Sequence, residues 1–197
     1  MTKRPATGNK KAPAGRLRIV AGNWRSRLLE IADVPGLRPT SERVRETLFN
    51  WLAPRIEGAR CLDLFAGTGA LGLEALSRGA TSVVFVESSR IAVKILEKNT
   101  RTLDASGAAI RHGDALEYLK TAESASFDVI FLDPPFSAGL LDETCASIES
   151  SGVLAAGGLV YLEQDKTHPR PVMPANWITM KDKAAGQVRY SLVRTGP

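Results

Sequence analysis

With 197 residues and 44% hydrophobic content, the chain is long enough for one principal domain around one sizeable core. No stretch approaches the roughly 18–20 consecutive apolar residues of a membrane span, and no apolar region follows the basic N-terminus to make a secretory signal, so a soluble cytoplasmic protein without a membrane partner is expected. The net charge of +5 conceals an asymmetry: residues 1–29 hold eight basic residues and no acid, and the remainder holds 18 basic against 21 acidic residues. A basic arm on a slightly acidic body is the footprint of a polyanion partner, because each neutralised phosphate releases condensed counterions.

Residues 1–14 lack apolar periodicity and read as a flexible basic tail. Residues 15–35 read as a small basic hairpin: Leu17, Ile19 and Ala21 alternate with Arg16, Arg18 and Val20, and Gly22-Asn23 turns into a second run over 24–29. Arg16, Arg18, Arg25 and Arg27 are its candidate nucleic-acid contacts. Residues 36–54 read as a loop and a helix. Pro35-Gly36-Leu37-Arg38-Pro39 forms the loop, Thr40 or Ser41 caps the helix, Glu42 suits its first turn, and Val44, Leu48, Trp51 and Leu52 recur at helical spacing until Pro54 ends it.

Residues 55–197 alternate short apolar runs with amphipathic stretches. Strands are expected at 60–64, 82–87, 108–111, 127–132 and 157–163, with helices near 70–78, 89–104, 114–121 and 139–151. This alternation predicts an α/β fold with a doubly wound, mostly parallel sheet. Two last runs, at 177–180 and 188–193, read as an antiparallel hairpin on the sheet edge. Cys61 and Cys145 lack metal-ligand spacing and are expected as buried reduced thiols, and no metal site is expected. His112 and His168 have no partner pattern for a dyad.

The first sheet strand runs into Asp63-Leu64-Phe65-Ala66-Gly67-Thr68-Gly69-Ala70-Leu71-Gly72. Glycines let a backbone approach a ligand, and the following helix N-terminus offers unpaired N–H groups. Phe65, Ala66, Gly67 and Gly69 are therefore cofactor candidates, with Glu87 twenty residues past Gly67 where an acid binds ribose hydroxyls. That fingerprint fits a nicotinamide enzyme as well as a methyltransferase. Asp63 tilts the choice, since a carboxylate repels pyrophosphate and attracts the ammonium of S-adenosylmethionine; it can equally cap the turn. Asp114, followed by Ala115, can accept from an adenine amino group, cap a helix, or do both.

Asp133-Pro134-Pro135-Phe136 leaves the strand expected at 127–132 at the carboxyl edge of the sheet, where ligands bind in such folds. Prolines fix the backbone, so the Pro134 carbonyl and the Asp133 carboxylate can accept both hydrogens of a base amino group while Phe136 stacks on the ring. A Pro-Pro pair can also simply stop a strand.

From Leu17 onward the chain resembles the bacterial 16S ribosomal RNA guanine-N2 methyltransferases of the RsmD type. The resemblance rests on the run 18–25 (RIVAGNWR), the run 36–52 (GLRPTSERVRETLFNWL), Asp63 through Gly79, the Asp133 turn, the run 174–177 (PANW) and the run 185–188 (AGQV). It implies a seven-stranded Rossmann-like methyltransferase sheet, S-adenosylmethionine as cofactor, and 16S rRNA or the assembling small ribosomal subunit as the partner; a monomer is expected. It also implies that Arg38, Pro39 and Thr40 close over the methionine end of the cofactor, with Arg38 or Arg43 on its carboxylate. Arg43 and Arg45 can equally form a solvated helix face. The rivals are a DNA adenine-N6 or cytosine-N4 amino methyltransferase, a nicotinamide-dependent oxidoreductase, and a non-catalytic RNA-binding assembly factor.

Overall fold

A computed structural model describes residues 15–34, 39–135 and 140–196. The first two strands, β1 (Arg16–Arg18) and β2 (Leu28–Glu30), pair antiparallel as a separate ribbon. Their pairing continues through Ile19, whose N–H donates to Arg27 and whose carbonyl accepts from Ser26. The expected second strand over 24–29 thus begins only at Leu28, because the backbone between is drawn onto a helix. Gly22 (φ +82°) lies so close to Ser77 that a Cβ would sit 1.8 Å from the Ser77 carbonyl oxygen. Asn23 N–H donates to that carbonyl at 2.7 Å, and Trp24 N–H donates to the Ser77 hydroxyl at 3.0 Å.

Helix α1 (Glu42–Ile56) is capped by Ser41, whose side chain accepts from Val44 N–H. Pro54 lies inside it and does not end it as the sequence suggests. A proline here leaves the Asn50 carbonyl without its helical donor, and both residues lie on the exposed face, where water can donate to it. Val44, Leu48, Phe49, Leu52 and Ile56 go into the core on the other face, so burial of Ile56 carries the helix past the break.

The main sheet has seven strands: β3 (Arg60–Asp63), β4 (Ser82–Glu87), β5 (Ala108–His112), β6 (Phe127–Leu132), β7 (Leu154–Asp165), β8 (Trp177–Ala185) and β9 (Val188–Thr195). Their order is β5-β4-β3-β6-β7-β9-β8. The first five are parallel, and β9 is antiparallel to both β7 and β8. Helices α2 (Ala70–Ser77), α3 (Arg90–Leu103), α4 (Ala115–Leu119) and α5 (Leu140–Ser151) make the crossovers. The terminal hairpin joins the edge as expected, while β7 is longer than the sequence suggests at both ends: its start pairs Leu154 with Phe127 of β6, and its end runs beside β9 as far as Asp165. Parallel strands buried on both faces read as near-continuous apolar runs, which is why Val129, Ile130, Phe131 and Leu132 are all fully enclosed. Cys61 and Cys145 are buried free thiols, and burial raises both above the usual thiol range. No helix among the described residues is long and apolar enough to cross a membrane.

Candidate active site

The parallel order places the ends of β3, β4 and β6 along one edge, and each ends on or beside an acid. Asp63 is the last residue of β3, Glu87 is the last of β4, and Asp133 directly follows β6. Asp63 is buried and accepts from Gly72 N–H at 3.0 Å. That bond spans the glycine turn, and Gly72 has to be a glycine because a Cβ would lie 2.2 Å from the Phe85 ring. Burial pushes the Asp63 carboxyl up to about 7, with the charges of Asp133 and Glu87 adding to the rise. Glu87 accepts from Gly67 N–H and Ser89 N–H, both at 2.7 Å. Within the turn, Gly69 is the left-handed N-cap of α2 and the buried Thr68 hydroxyl has no hydrogen-bond partner among the described residues. Ala66 is buried, its N–H donating to the Val86 carbonyl at 3.0 Å, and Phe65 is half-buried.

Three mutually repelling carboxylates around a glycine turn suit a cation and disfavour a pyrophosphate. The capping role of Asp63 is present in the structure, in its bond from Gly72 N–H.

On the β6 side, the Thr40 hydroxyl donates to Asp133 Oδ2 at 2.9 Å. Thr40 is itself buried, and its carbonyl accepts from the Arg45 guanidinium at 3.2 Å. Asp133 is held above the usual carboxylate range by burial, with the Thr40 bond opposing the rise. Pro134 is buried and Pro39 half-buried.

Arg45 is not on a solvated face. Its side chain is fully enclosed, pairing with Glu74 at 3.2 Å and donating to the Arg18 carbonyl at 2.7 Å. Glu74 also accepts from Val20 N–H, Ala21 N–H and Arg78. The basic ribbon is therefore tied through one buried carboxylate to the helix that follows the glycine turn. No spacing rule singled out Glu74. Its signal was an acid in the otherwise apolar run of α2, Ala70-Leu71-Gly72-Leu73-Glu74-Ala75-Leu76.

Arg43 is exposed in the first turn of α1, as the solvated-face alternative expects. Asp114 caps α4, accepting from Leu116 and Glu117 N–H at 2.8 and 3.1 Å, with Ala115 buried behind it. Arg16, Arg18, Arg25 and Arg27 are all exposed; Arg18 faces Glu42 at 3.8 Å, and Arg27 donates to the Thr102 carbonyl at 2.9 Å. Arg38 and Phe136 lie outside the described residues.

The family model described as "Conserved hypothetical protein 95" matches residues 17–194. Ribosomal RNA small subunit methyltransferase D of Escherichia coli K12 is 48% identical over 179 residues, covering 91% of this chain and 90% of that protein. The chain belongs to this methyltransferase family. The Haemophilus influenzae member is 43% identical and covers 90% of this chain and 93% of its own length. Among solved structures, yhhF from Escherichia coli matches with a TM-score of 0.85 at 44% identity, covering 92% of this chain and 99% of that one. A Thermus thermophilus 16S rRNA N2 G1207 methyltransferase, solved with AdoMet and guanosine, matches with a TM-score of 0.64. It covers 92% of this chain and 50% of that one at 24% identity, a likeness of fold alone. In this family member the acidic strand ends and the Asp133-Pro134-Pro135 turn share one edge, the position at which doubly wound sheets bind ligands.

Proposed function

We propose that the chain methylates the exocyclic N2 amino group of a guanine in 16S rRNA during small-subunit assembly, using S-adenosylmethionine. The observation that carries this reading is the half-buried Asp133, held by Thr40 at the end of β6 beside the acidic glycine turn. Family membership supports the ribosomal RNA substrate, because curated relatives 48% and 43% identical to this chain carry that substrate in their names.

The residues fit the cofactor: Asp63 offers a buried carboxylate to its ammonium, and Glu87 an acid for its ribose. Asp114 and Ala115 line the position for its adenine, and Pro39 and Thr40 the side toward its methionine end, with Arg38 and Arg43 as candidate partners for its carboxylate. When bound, S-adenosylmethionine supplies a methyl group on a positively charged sulfur. Asp133 and the Pro134 carbonyl accept the two amino hydrogens and orient the nitrogen, so that catalysis is mostly positioning and electrostatics. Phe136 is assigned base stacking on sequence alone, and the target base leaves its stack to be reached. The deciding experiment is labelled methyl transfer to unmodified small-subunit rRNA and particles followed by nucleoside identification. Label on N2-methylguanosine is expected, and label on adenosine or cytidine, or none, would reject the reading.

Cofactor binding is expected to depend on pH through Asp63. Its carboxyl is raised to about 7 in the free protein, so below that pH it is protonated and binding the ammonium displaces a proton. Affinity should therefore fall as pH drops below about 7, by up to about tenfold per pH unit, and level off above it. Titration calorimetry at pH 5.5 to 8.5 measures this, and the slope should vanish in Asp63→Asn. The same shift favours the cofactor-free fold at low pH, a contribution lost as pH rises from the ordinary carboxylate range through about 7.

The basic ribbon should set salt dependence. Replacing Arg16 and Arg25 together by Ala should lower the slope of log affinity for RNA against log salt by about 1.5, leaving cofactor affinity alone. A slope equal to that of the unmodified protein removes these side chains from the phosphate contacts.

A further inference from the structure

Glu163 is a buried acid outside the glycine turn and the Asp133 turn. It lies in β7, 4% exposed, and accepts from the Tyr161 hydroxyl at 2.6 Å. The β6–β7 register pairs Phe131 with Tyr161 and Leu132 with Leu162, which sets Asp133 beside Glu163 one step further on. The Thr40 hydroxyl, which donates to Asp133 Oδ2 at 2.9 Å, also acts on Glu163, so one hydroxyl serves two neighbouring carboxyl groups. A hydroxyl has one hydrogen. With Asp133 and Glu163 both ionised, one of these buried oxygen contacts would lack a proton, and two like charges would face each other. One of the acids must carry the missing proton. Glu163 is the more enclosed of the two, whereas Asp133 is half-buried at the substrate edge.

We propose that Glu163 is a positioning residue for the reaction: protonated, it donates to the Thr40 hydroxyl, which donates to Asp133, so that Asp133 meets the amino group as the charged member of the pair. This rests on the amino-methylation reading. As the nitrogen–methyl bond forms and the sulfur–methyl bond breaks, the amino nitrogen becomes positively charged. One N–H bond then breaks, its electron pair stays on nitrogen, and the proton passes to the Asp133 carboxylate. Had Asp133 carried the proton instead, it would offer a donor to a group that presents only donors. Burial and the Asp133 charge raise the Glu163 carboxyl above the usual carboxylate range, the direction that favours its protonated form. The groups facing it are Tyr161 on its own strand, Tyr190 opposite on β9, and Thr40 and Asp133 on the β6 side. Asp63 acts on Asp133 from β3. Of the nearby cations, Arg45 is bonded to Glu74 and Lys183 sits over Trp51.

The test compares the unmodified protein, Glu163→Gln and Glu163→Ala in two measurements. In methyl transfer to rRNA at saturating substrates from pH 6 to 9, kcat of the unmodified protein should fall on the alkaline side as Glu163 loses its proton. Glu163→Gln cannot ionise and keeps a donor for Thr40, so its ratio of kcat at pH 8.5 to that at pH 7 should exceed the unmodified ratio by about threefold. Glu163→Ala removes the donor and should lower kcat at pH 7 by about tenfold with KM for RNA nearly constant. An alkaline limb unchanged in Glu163→Gln overturns the proposal. The second measurement needs no turnover: the infrared band of protonated carboxyl groups at pH 7 should weaken in Glu163→Gln. A band that survives unchanged overturns the proposal even if rRNA proves not to be the substrate, which separates its failure from that of the reading beneath it.

Discussion

Replacing Asp133 by Ala should reduce kcat for methyl transfer by about a hundredfold to a thousandfold, with KM for RNA and cofactor affinity changing far less. The magnitude follows from removing one fixed acceptor at a site where charge develops, typically about 2.7–4 kcal/mol of transition-state stabilisation. Ground-state binding of a long RNA rests on many phosphate contacts, so one amino-group acceptor contributes little to it. Asp133→Asn should be less damaging, since the amide keeps one acceptor oxygen, although its NH2 adds a donor that can turn toward the substrate. Single-turnover kinetics with saturating enzyme isolates the chemical step. A rate within about threefold of the unmodified protein would show that the amino group is oriented by other atoms.

The second large effect is on stability. Glu74→Leu should lower the melting temperature by at least about 10 °C. The Arg45 side chain is fully enclosed with Glu74 as its ion-pair partner, and breaking a buried pair from one side costs about 3–5 kcal/mol. Val20 and Ala21 N–H would also lose their acceptor, each at a further cost of about 1–3 kcal/mol if buried. For a chain of this length, 1 kcal/mol moves the midpoint by about 2–4 °C. The damage should begin at the basic ribbon, whose backbone is anchored to α2 through Glu74 and Ser77. Limited proteolysis should therefore cut before residue 30 at temperatures where the sheet is intact. A midpoint within a few degrees of the unmodified protein would mean that Arg78 and water compensate for the lost carboxylate.

Several particulars separate what could be read along the chain from what could not. The strands at 82–87 and 127–132 were legible to the residue, because a central parallel strand is an unbroken apolar run closed by turn signals. Glu87 and Asp133 were legible as edge acids for the same reason, since they end those runs. The capping of α1 by Ser41 and of α4 by Asp114 followed from side-chain chemistry that acts within three residues. A local proline rule ends α1 at Pro54, two residues early, because it gives no weight to the burial of Ile56. A solvated face is the commoner place for a helical arginine such as Arg45, and nothing within its own helix announces Glu74, 29 positions away.

The doubly wound sheet, the glycine turn with its acid and the Asp133-Pro134-Pro135 turn are legible along the chain because each is written in the spacing of neighbouring residues, and the family is legible through the resemblance of its motifs. Only the tertiary structure decided which charges meet. It brought Asp63, Glu87 and Asp133 to one edge, buried Arg45 against Glu74, and set Thr40 between Asp133 and Glu163. The physical reason is that a carboxylate's proton, like the stability of an ion pair, depends on burial and on partners distant in the chain. Those depend on strand order and register, which no local pattern encodes.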